Sequence, residues 1–260
     1  MIRGSASIVA FVAFASSVFA ADLPSKKAPP AYVAPPPAVY SWTGCGGGVI
    51  GGGNWGQSRD FAADAAADGP LGLLGAAQTG RFGLSGGVIG GEAHCDYQID
   101  HFVIGAVGDY SWTNKNGSAN LLAPFKTTDV VETEENSIGT FRGRIGYAFD
   151  RLLFYGTGGG AVAREGVNLC DPTNGCVSSF QSRLGWTAGV GVEYAFWNNF
   201  SVKLEYLHAD FDDTDFGRLK PSPAFTFNER QVSLTDDMVR VGVSYKFDMF
   251  APAPPIAAKY

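Results

Sequence analysis

The alternation of apolar and polar side chains with a period of two residues constrains the fold of this chain more than any other feature. Between residues 40 and 247, long helical periodicity is absent and this alternation recurs. In 238–247, valine or an aromatic residue occupies every odd position, and Arg240 and Lys246 lie on the opposite face. Four segments pair an apolar face with a charged or polar face in this way: 138–149, 186–196, 200–210 and 238–247. The chain is therefore predicted to be all-β.

Four further strands are predicted from weaker patterns, over 42–56, 84–98, 102–112 and 152–164. The connections between the eight strands alternate in length, with short ones predicted at 99–101, 150–151 and 197–199 and long ones at 57–83, 113–137, 165–181 and 211–236. Transmembrane barrels of antiparallel strands have short periplasmic turns and longer external loops. We therefore predict an eight-stranded antiparallel transmembrane β-barrel, ordered as an up-and-down meander.

The charged face of these strands is expected to line the lumen. An arginine that faces lipid near the bilayer midplane costs roughly 2–4 kcal/mol, which favours an inward position for Arg142 and Arg144. The predicted lumen charge network consists of Arg142, Arg144, Glu193, Lys203, Glu205, Arg240 and Lys246. A water-soluble barrel would invert the two faces, and alternation alone does not separate these alternatives.

Aromatic residues near the predicted short turns and the chain termini favour the membrane barrel, because such residues form interfacial girdles. The predicted girdle consists of Tyr40, Trp42, Phe149, Phe196, Trp197, Phe200, Tyr245 and Phe247. Past residue 20, no apolar run approaches the ~18 residues that a membrane helix requires. The net charge of −6 argues against a nucleic-acid partner. The mean hydropathy of +0.02 then reflects the average of one apolar and one polar face.

Both ends of the chain are expected to lie outside the barrel, which is assigned to residues 40–247. Residues 1–20 are interpreted as a cleaved export signal, with Arg3 before a short apolar stretch and a small-x-small site ending at Ala20. The proline-rich residues 21–39 are predicted to be a periplasmic spacer, and 248–260 a Pro/Ala-rich tail. A membrane anchor and a PxxP ligand are the alternative interpretations of these N-terminal segments.

Several motifs together carry a resemblance to a known family. They are Ala-Ala-Asp-Leu-Pro at 20–24, Tyr-Ser-Trp-Thr-Gly at 40–44, and the stretches 51–56, 141–149, 155–159, 189–196, 203–207 and 239–247. With these motifs the chain resembles the small eight-stranded outer-membrane immunogenic, or porin-like, proteins of alphaproteobacteria, with a barrel of the OmpA type.

This resemblance implies a monomeric or loosely associated barrel in the Gram-negative outer membrane, with structural, antigenic and sometimes porin-like or haemin-binding roles. Its partners would be outer-membrane lipid, lipopolysaccharide and the outer-membrane assembly machinery. The chain departs from the family pattern at three places. Thirteen residues follow Phe247, Val107 stands where an inward Glu is common, and Cys45 stands where an aromatic residue is usual.

Four cysteines in an exported protein suggest disulfides. Cys170 and Cys176 enclose a turn-rich segment and are predicted to pair. Cys45 and Cys95 lie near the periplasmic ends of two neighbouring predicted strands. They form either a cross-strand disulfide or two lipid-facing thiols.

No motif predicts a catalytic residue, a metal site or a cofactor. The histidines His94, His101 and His208 have neither zinc-site spacing nor a recognisable triad arrangement. The glycines of 51–56 fit a dinucleotide fingerprint, but no helix is predicted after them. Asp210, Asp212, Asp213 and Asp215 depart from the spacing of a calcium loop and are interpreted as a solvated acidic rim.

Three hypotheses of function remain. The first is a non-enzymatic structural barrel with a lumen filled by charged side chains. The second is passage of small solutes, or capture of haemin or another ligand by the external loops. The third is a secreted, soluble ligand-binding barrel, which would be extracted without detergent.

Overall fold

Ten strands appear in the computed structural model, which describes residues 40–63, 73, 75–124, 127–171, 175–216, 219–222, 225–227 and 230–247. The strands are β1 (Gly44–Ala62), β2 (Phe82–Ile99), β3 (Phe102–Asn120), β4 (Val130–Phe149), β5 (Leu152–Asp171), β6 (Gly175–Ala195), β7 (Phe200–Phe216), β8 (Leu219–Ser222), β9 (Phe225–Phe227) and β10 (Arg230–Phe247). The predicted export signal, spacer and C-terminal tail lie outside the described residues.

Eight of the ten strands close into one antiparallel barrel. Their order around the ring is β1-β10-β7-β6-β5-β4-β3-β2, and β8 pairs only with β9. The barrel closes where β1 pairs with β10, from Cys45 opposite Phe247 to Ala62 opposite Arg230. The predicted eight-stranded meander is therefore confirmed. Within the described residues, no helix has the length and apolar character needed to cross a membrane.

The two faces of the strands point as predicted. Residues such as Phe141, Val190 and Val241 are exposed on the outside, whereas Arg142 and Arg240 are fully buried inside. Two levels of exposed aromatic residues border the outer apolar surface. The lower level, beside the short turns, includes Phe149, Phe196, Trp197, Phe200, Tyr245 and Phe247, and the upper level includes Trp55, Tyr110, Trp112 and Trp186.

The spacing of these two levels matches a membrane. Along β6, eight residues separate Trp186 from Tyr194. With a rise of about 3.4 Å per residue and a tilt near 40°, they lie about 20 Å apart along the barrel axis. An outer-membrane barrel has an apolar band of about this height between its two girdles.

The predicted long connections were wrong in their boundaries. Most of 113–137 and 165–181 belongs to strands, because β3 continues to Asn120, β4 begins at Val130, and β5 continues to Asp171. Alternation of apolar and polar side chains indicates a strand only where the two faces of that strand contact different environments. Beyond the upper aromatic level both faces are polar or mixed, as in 130–137, so the pattern fades while the ladder of hydrogen bonds continues.

Glycines of β1 allow close approach to β10 along the closing seam. A Cβ added at Gly52 would collide with the carbonyl oxygen of Val239, and one added at Gly48 would collide with that of Val243. At the neighbouring Gly53 the nearest heavy atom to an added Cβ would be 3.9 Å away. The glycine run of 51–56 thus lies within a strand, where it serves packing.

Candidate functional site

The lumen is crossed near its middle by four charged side chains, Asp109, Arg142, Glu205 and Arg240, which we call the central quartet. Each arginine donates to both carboxylates. Arg142 lies 2.7 Å from Asp109 Oδ2 and 3.0 Å from Glu205 Oε1, and Arg240 lies 2.8 Å from Asp109 Oδ1 and 2.6 Å from Glu205 Oε2. Thr140 donates a further hydrogen bond of 2.6 Å to Asp109.

The four members of the central quartet come from two pairs of neighbouring strands on opposite sides of the barrel. Asp109 lies on β3, Arg142 on β4, Glu205 on β7 and Arg240 on β10. In the ring, β4 and β7 are three positions apart, and so are β3 and β10. The Arg142–Glu205 and Arg240–Asp109 pairs therefore cross the lumen, whereas the Arg142–Asp109 and Arg240–Glu205 pairs join neighbouring strands. Both arginines have no exposed surface, and such buried charges are stable only when they are paired and hydrogen-bonded.

A second group of charges lies between the central quartet and the short turns. Arg144 donates to Asp96 and, over 2.9 Å, to Glu193 Oε2. Lys203 pairs with Glu92, which also accepts a 2.8 Å hydrogen bond from Ser244. These contacts join β4 to β2 and β6, and β7 to β2, so they also cross the lumen.

A third group of buried charges occupies the end of the lumen away from the short turns. Lys115 pairs with Asp236 and, over 2.7 Å, with Glu135 Oε2. Arg183 lies 2.6 Å from Glu165 Oε2 and donates to the carbonyl of Val232. Ionic layers therefore recur along much of the barrel axis.

The mouth at the short turns is covered by residues 40–43, which we call the strap. From the start of β1 it reaches the β4–β5 turn, half-way around the ring. The Trp42 indole donates over 3.0 Å to the carbonyl of Asp150, and the Trp42 amide donates over 2.7 Å to Gln98 Oε1. Tyr40 packs edge-on against Trp42 with ring centroids 5.1 Å apart.

The strap is part of an apolar cluster inside the mouth. Tyr40 and Trp42 are buried there together with Val103, Ala148, Leu153, Tyr155 and Ala195. Their assignment to the outer girdle was therefore wrong. Residues of the outer girdle and residues that fill the mouth are both aromatic, and only the path of the strap across the mouth distinguishes the two positions. Burial, with the nearby charge of Glu193, raises the pKa of Tyr40 to about 12.

The seven residues of the predicted lumen charge network lie in two different places. Arg142, Arg144, Glu193, Lys203, Glu205 and Arg240 are buried in the lumen. Lys246 instead lies half-buried at the mouth, where it donates to the Ser41 carbonyl and sits 4.4 Å from the centroid of the Tyr40 ring. The strap provides both contacts of Lys246, and the alternation of side chains along β10 does not indicate where the strap lies.

Sequence reasoning missed several partners of the network. Glu92, Asp96 and Asp109 lie on the inward face of strands whose pattern was weak, and the polar parity of those strands was the signal that could have found them. Lys115 and Glu135 lie in segments that were predicted to be loop. No sequence pattern there distinguishes an inward charge from a solvated one.

Two disulfides join neighbouring strands. Cys45 and Cys95 are opposite each other on β1 and β2, and Cys170 and Cys176 are opposite each other on β5 and β6. Cys95 faces outwards, so its pairing takes place on the outer surface of the barrel, near the mouth. In the described part of the chain, no group of three or more His, Cys, Asp or Glu side chains is arranged to hold a metal ion. The side chains of Asp213 and Asp215 lie outside the described residues.

Comparison with known proteins reveals similarity to proteins of the bacterial outer membrane. Residues 28–247 match the family described as outer membrane protein beta-barrel domain. A 31 kDa outer-membrane immunogenic protein of Brucella melitensis is 34% identical over 247 residues, which cover 93% of this chain and 98% of that protein. A 25 kDa outer-membrane immunogenic protein of Brucella abortus is 28% identical over 243 residues, covering 92% and 94%.

Solved structures show the same kind of fold. The outer membrane protease OmpT from Escherichia coli superposes with a TM-score of 0.50 at 9% identity, covering 78% of this chain and 97% of that chain. At this identity the likeness concerns the fold alone.

Proposed function

We propose that this chain, which belongs to the outer-membrane β-barrel family and lies in the Gram-negative outer membrane, is a non-enzymatic, monomeric structural barrel that does not conduct solutes. In this proposal residues 1–20 are removed on export, 21–39 form a periplasmic spacer, and 248–260 form a tail beyond the barrel. The barrel surface contacts membrane lipid and lipopolysaccharide. The outer-membrane assembly machinery inserts it.

The central quartet is the observation that carries this proposal. An eight-stranded barrel has an interior just wide enough for side chains to fill. Here the filling side chains come from four strands and pair across the lumen, so a solute could pass only if several buried ion pairs separated. Separating such a pair leaves an uncompensated buried charge, which costs about 3–5 kcal/mol.

The strap supports the same conclusion at the mouth. Trp42 and Tyr40 fill the opening beside the short turns, and their hydrogen bonds to Asp150 fasten the strap to the opposite wall. In the central quartet two arginines balance two carboxylates, and all four side chains are engaged with one another instead of facing an open cleft. This arrangement fits a structural role in the membrane better than catalysis on a substrate.

Single-channel recording in planar bilayers tests the proposal. The wild-type barrel is expected to show no stepwise conductance. A variant that removes the central layer and the cover of the mouth, Asp109→Ser/Arg142→Ser/Glu205→Ser/Arg240→Ser with Tyr40→Gly/Trp42→Gly, keeps the quartet electrically neutral. It is expected to conduct in small steps, because the side chains of the other two charged groups still narrow the lumen. The control replaces four outward residues, Val190, Val192, Val241 and Val243, by Ala, and is expected to remain silent.

Two results would contradict the proposal. Stepwise conductance of the wild type, with an ion selectivity that changes in the quartet variant, would favour a small-solute pore. A Soret shift on adding haemin to the wild-type barrel would favour ligand capture. Heat-modifiable gel mobility identifies folded protein in every sample, so that a silent variant is not confused with an unfolded one.

A further inference from the structure

A small polar cleft lies on the outer surface of the barrel, at the end away from the short turns. It has a volume of about 120 Å³ and crosses the closing seam between β1 and β10. Its lining residues are Gln57, Ser58, Arg59, Arg81, Ser233 and Thr235. Arg59 lies opposite Ser233 and Gln57 opposite Thr235 across the seam, so the two strands together form the walls.

The chemistry of the cleft suits an anion. Two guanidinium groups, three hydroxyls and an amide line it, and none of its described lining residues is a carboxylate. The Nε of Arg59 is buried without a hydrogen-bond acceptor among the described residues. Asp210 of β7 is opposite Thr235, and β10 separates it from Arg59 on β1, so the Arg59 end is the basic end of the cleft. A phosphate group accepts paired hydrogen bonds from a guanidinium fork in the geometry that Arg offers.

The orientation of Arg59 is set by its own strand. Its guanidinium carbon lies 4.9 Å from the centroid of the Phe61 ring, two residues further along the outer face of β1. Stacking on the Phe61 ring holds the guanidinium group of Arg59 against the barrel wall. The Arg59 side chain therefore loses less conformational entropy when an anion binds. A preformed Arg59 is therefore available to a ligand approaching from outside the barrel.

The height of the cleft identifies the source of the phosphate. Trp55 belongs to the upper aromatic level, and Arg59 lies four residues beyond it, about 10 Å further from the membrane centre. Phosphates of the lipid anchor of lipopolysaccharide lie just above the acyl chains, at the same level. The cleft faces outwards from the barrel, towards that lipid, and not into the lumen.

We propose that the cleft binds a phosphate monoester of lipopolysaccharide, with Arg59 and Arg81 as its charged ligands. Gln57, Ser233 and Thr235 donate the additional hydrogen bonds. The site rests on the membrane location of the barrel and is independent of whether the lumen conducts. Binding and conductance can therefore fail separately.

Native mass spectrometry of the full chain in detergent tests this site. The probes are deep-rough lipopolysaccharide with its anchor phosphates, the same lipid after phosphatase treatment, and soluble glucosamine 1-phosphate. Arg59→Gln/Arg81→Gln is expected to weaken binding of the phosphorylated lipid at least tenfold, to the level of the phosphatase-treated lipid. Arg59→Lys keeps the charge but loses the fork, and is expected to give an intermediate loss.

Arg164→Gln is the matched control, because Arg164 also stacks on an aromatic ring, that of Phe180, but does not line the cleft. It is expected to stay within twofold of the wild type. Undiminished lipid binding by a folded Arg59→Gln/Arg81→Gln variant would overturn the site, as would equal binding of both lipid forms by the wild type. Arginine-dependent binding of soluble glucosamine 1-phosphate alone would refute the membrane source.

Discussion

Removal of one carboxylate from the central quartet should destabilise the barrel strongly, and removal of a matching arginine should restore much of the loss. Asp109 accepts hydrogen bonds of 2.7 Å from Arg142, 2.8 and 3.3 Å from Arg240, and 2.6 Å from Thr140. Asp109→Asn keeps one acceptor oxygen, but its amide nitrogen turns a donor towards guanidinium donors. The quartet then carries an excess charge of +1 in a buried layer.

The expected magnitude follows from these contacts. Loss of two charge-assisted hydrogen bonds, at about 1.5–3 kcal/mol each, gives about 3–6 kcal/mol for Asp109→Asn. This agrees with the cost of breaking a buried ion pair on one side. Arg240→Met should cost a similar amount, because it leaves two carboxylates with one arginine. The double variant leaves the Arg142–Glu205 pair, which is neutral, and should lose at least about 2 kcal/mol less than the sum of the single variants.

The measurement is equilibrium unfolding by urea in lipid vesicles, followed by tryptophan fluorescence and heat-modifiable gel mobility. Glu132→Gln, outside the quartet and half-exposed on the outer part of β4, is the control and should change the free energy of unfolding by less than about 0.5 kcal/mol. Additive losses in the double variant, or a loss below about 1 kcal/mol for Asp109→Asn, would show that water or rearranged side chains compensate the charges. The lumen would then not be the closed ionic layer that the contacts describe.

Three further predictions concern the mouth, the disulfides and the seam. Burial raises the pKa of Tyr40 to about 12, so the neutral phenol favours the folded strap at every pH below about 10. This stabilisation of the strap should be lost as the pH rises from about 10 to 12. Trp42 fluorescence should report the transition, and an identical transition in Tyr40→Phe would refute this assignment. Cys45→Ser/Cys95→Ser should lower the free energy of unfolding by about 4 kcal/mol, and Cys170→Ser/Cys176→Ser by about 2 kcal/mol. The losses differ because the first pair is separated by 50 residues and the second by 6. Equal losses would contradict the loop-entropy argument. Gly52→Ala should greatly reduce the folded fraction in heat-modifiability gels, whereas Gly53→Ala should fold normally, since only the first introduces a collision with β10.

Much of the fold could be predicted because the membrane imposes different environments on the two faces of each strand. Where one face meets lipid and the other the lumen, as in β10, the alternation indicated the strand, and the cost of charge in lipid together with the aromatic residues near the turns indicated its direction of facing. The same logic placed Arg142, Arg144 and Arg240 inside. It failed in the outer parts of β3, β4 and β5, because polar residues occupy both faces there and only backbone hydrogen bonds continue the strands.

The individual partners of the lumen charges could not be predicted in the same way. The period of two assigns a side chain to the inside, but the pairing of Arg240 with Asp109 joins residues that are 131 positions apart and lie on strands three places apart in the ring. Which inward charges meet depends on the shear of the closed barrel and on the height of each residue along its strand.

From the sequence alone, the chain is determined to be all-β with two alternating faces, because a period of two is a local property of each strand. The cost of charge in lipid then places the charged face inside. Tertiary structure decided the rest. Closure of β1 onto β10 brought the quartet together across the lumen, folded Trp42 into the mouth instead of the girdle, and assembled Arg59 and Ser233 into one cleft. These arrangements join residues distant in sequence, and their geometry exists only once the ring is closed.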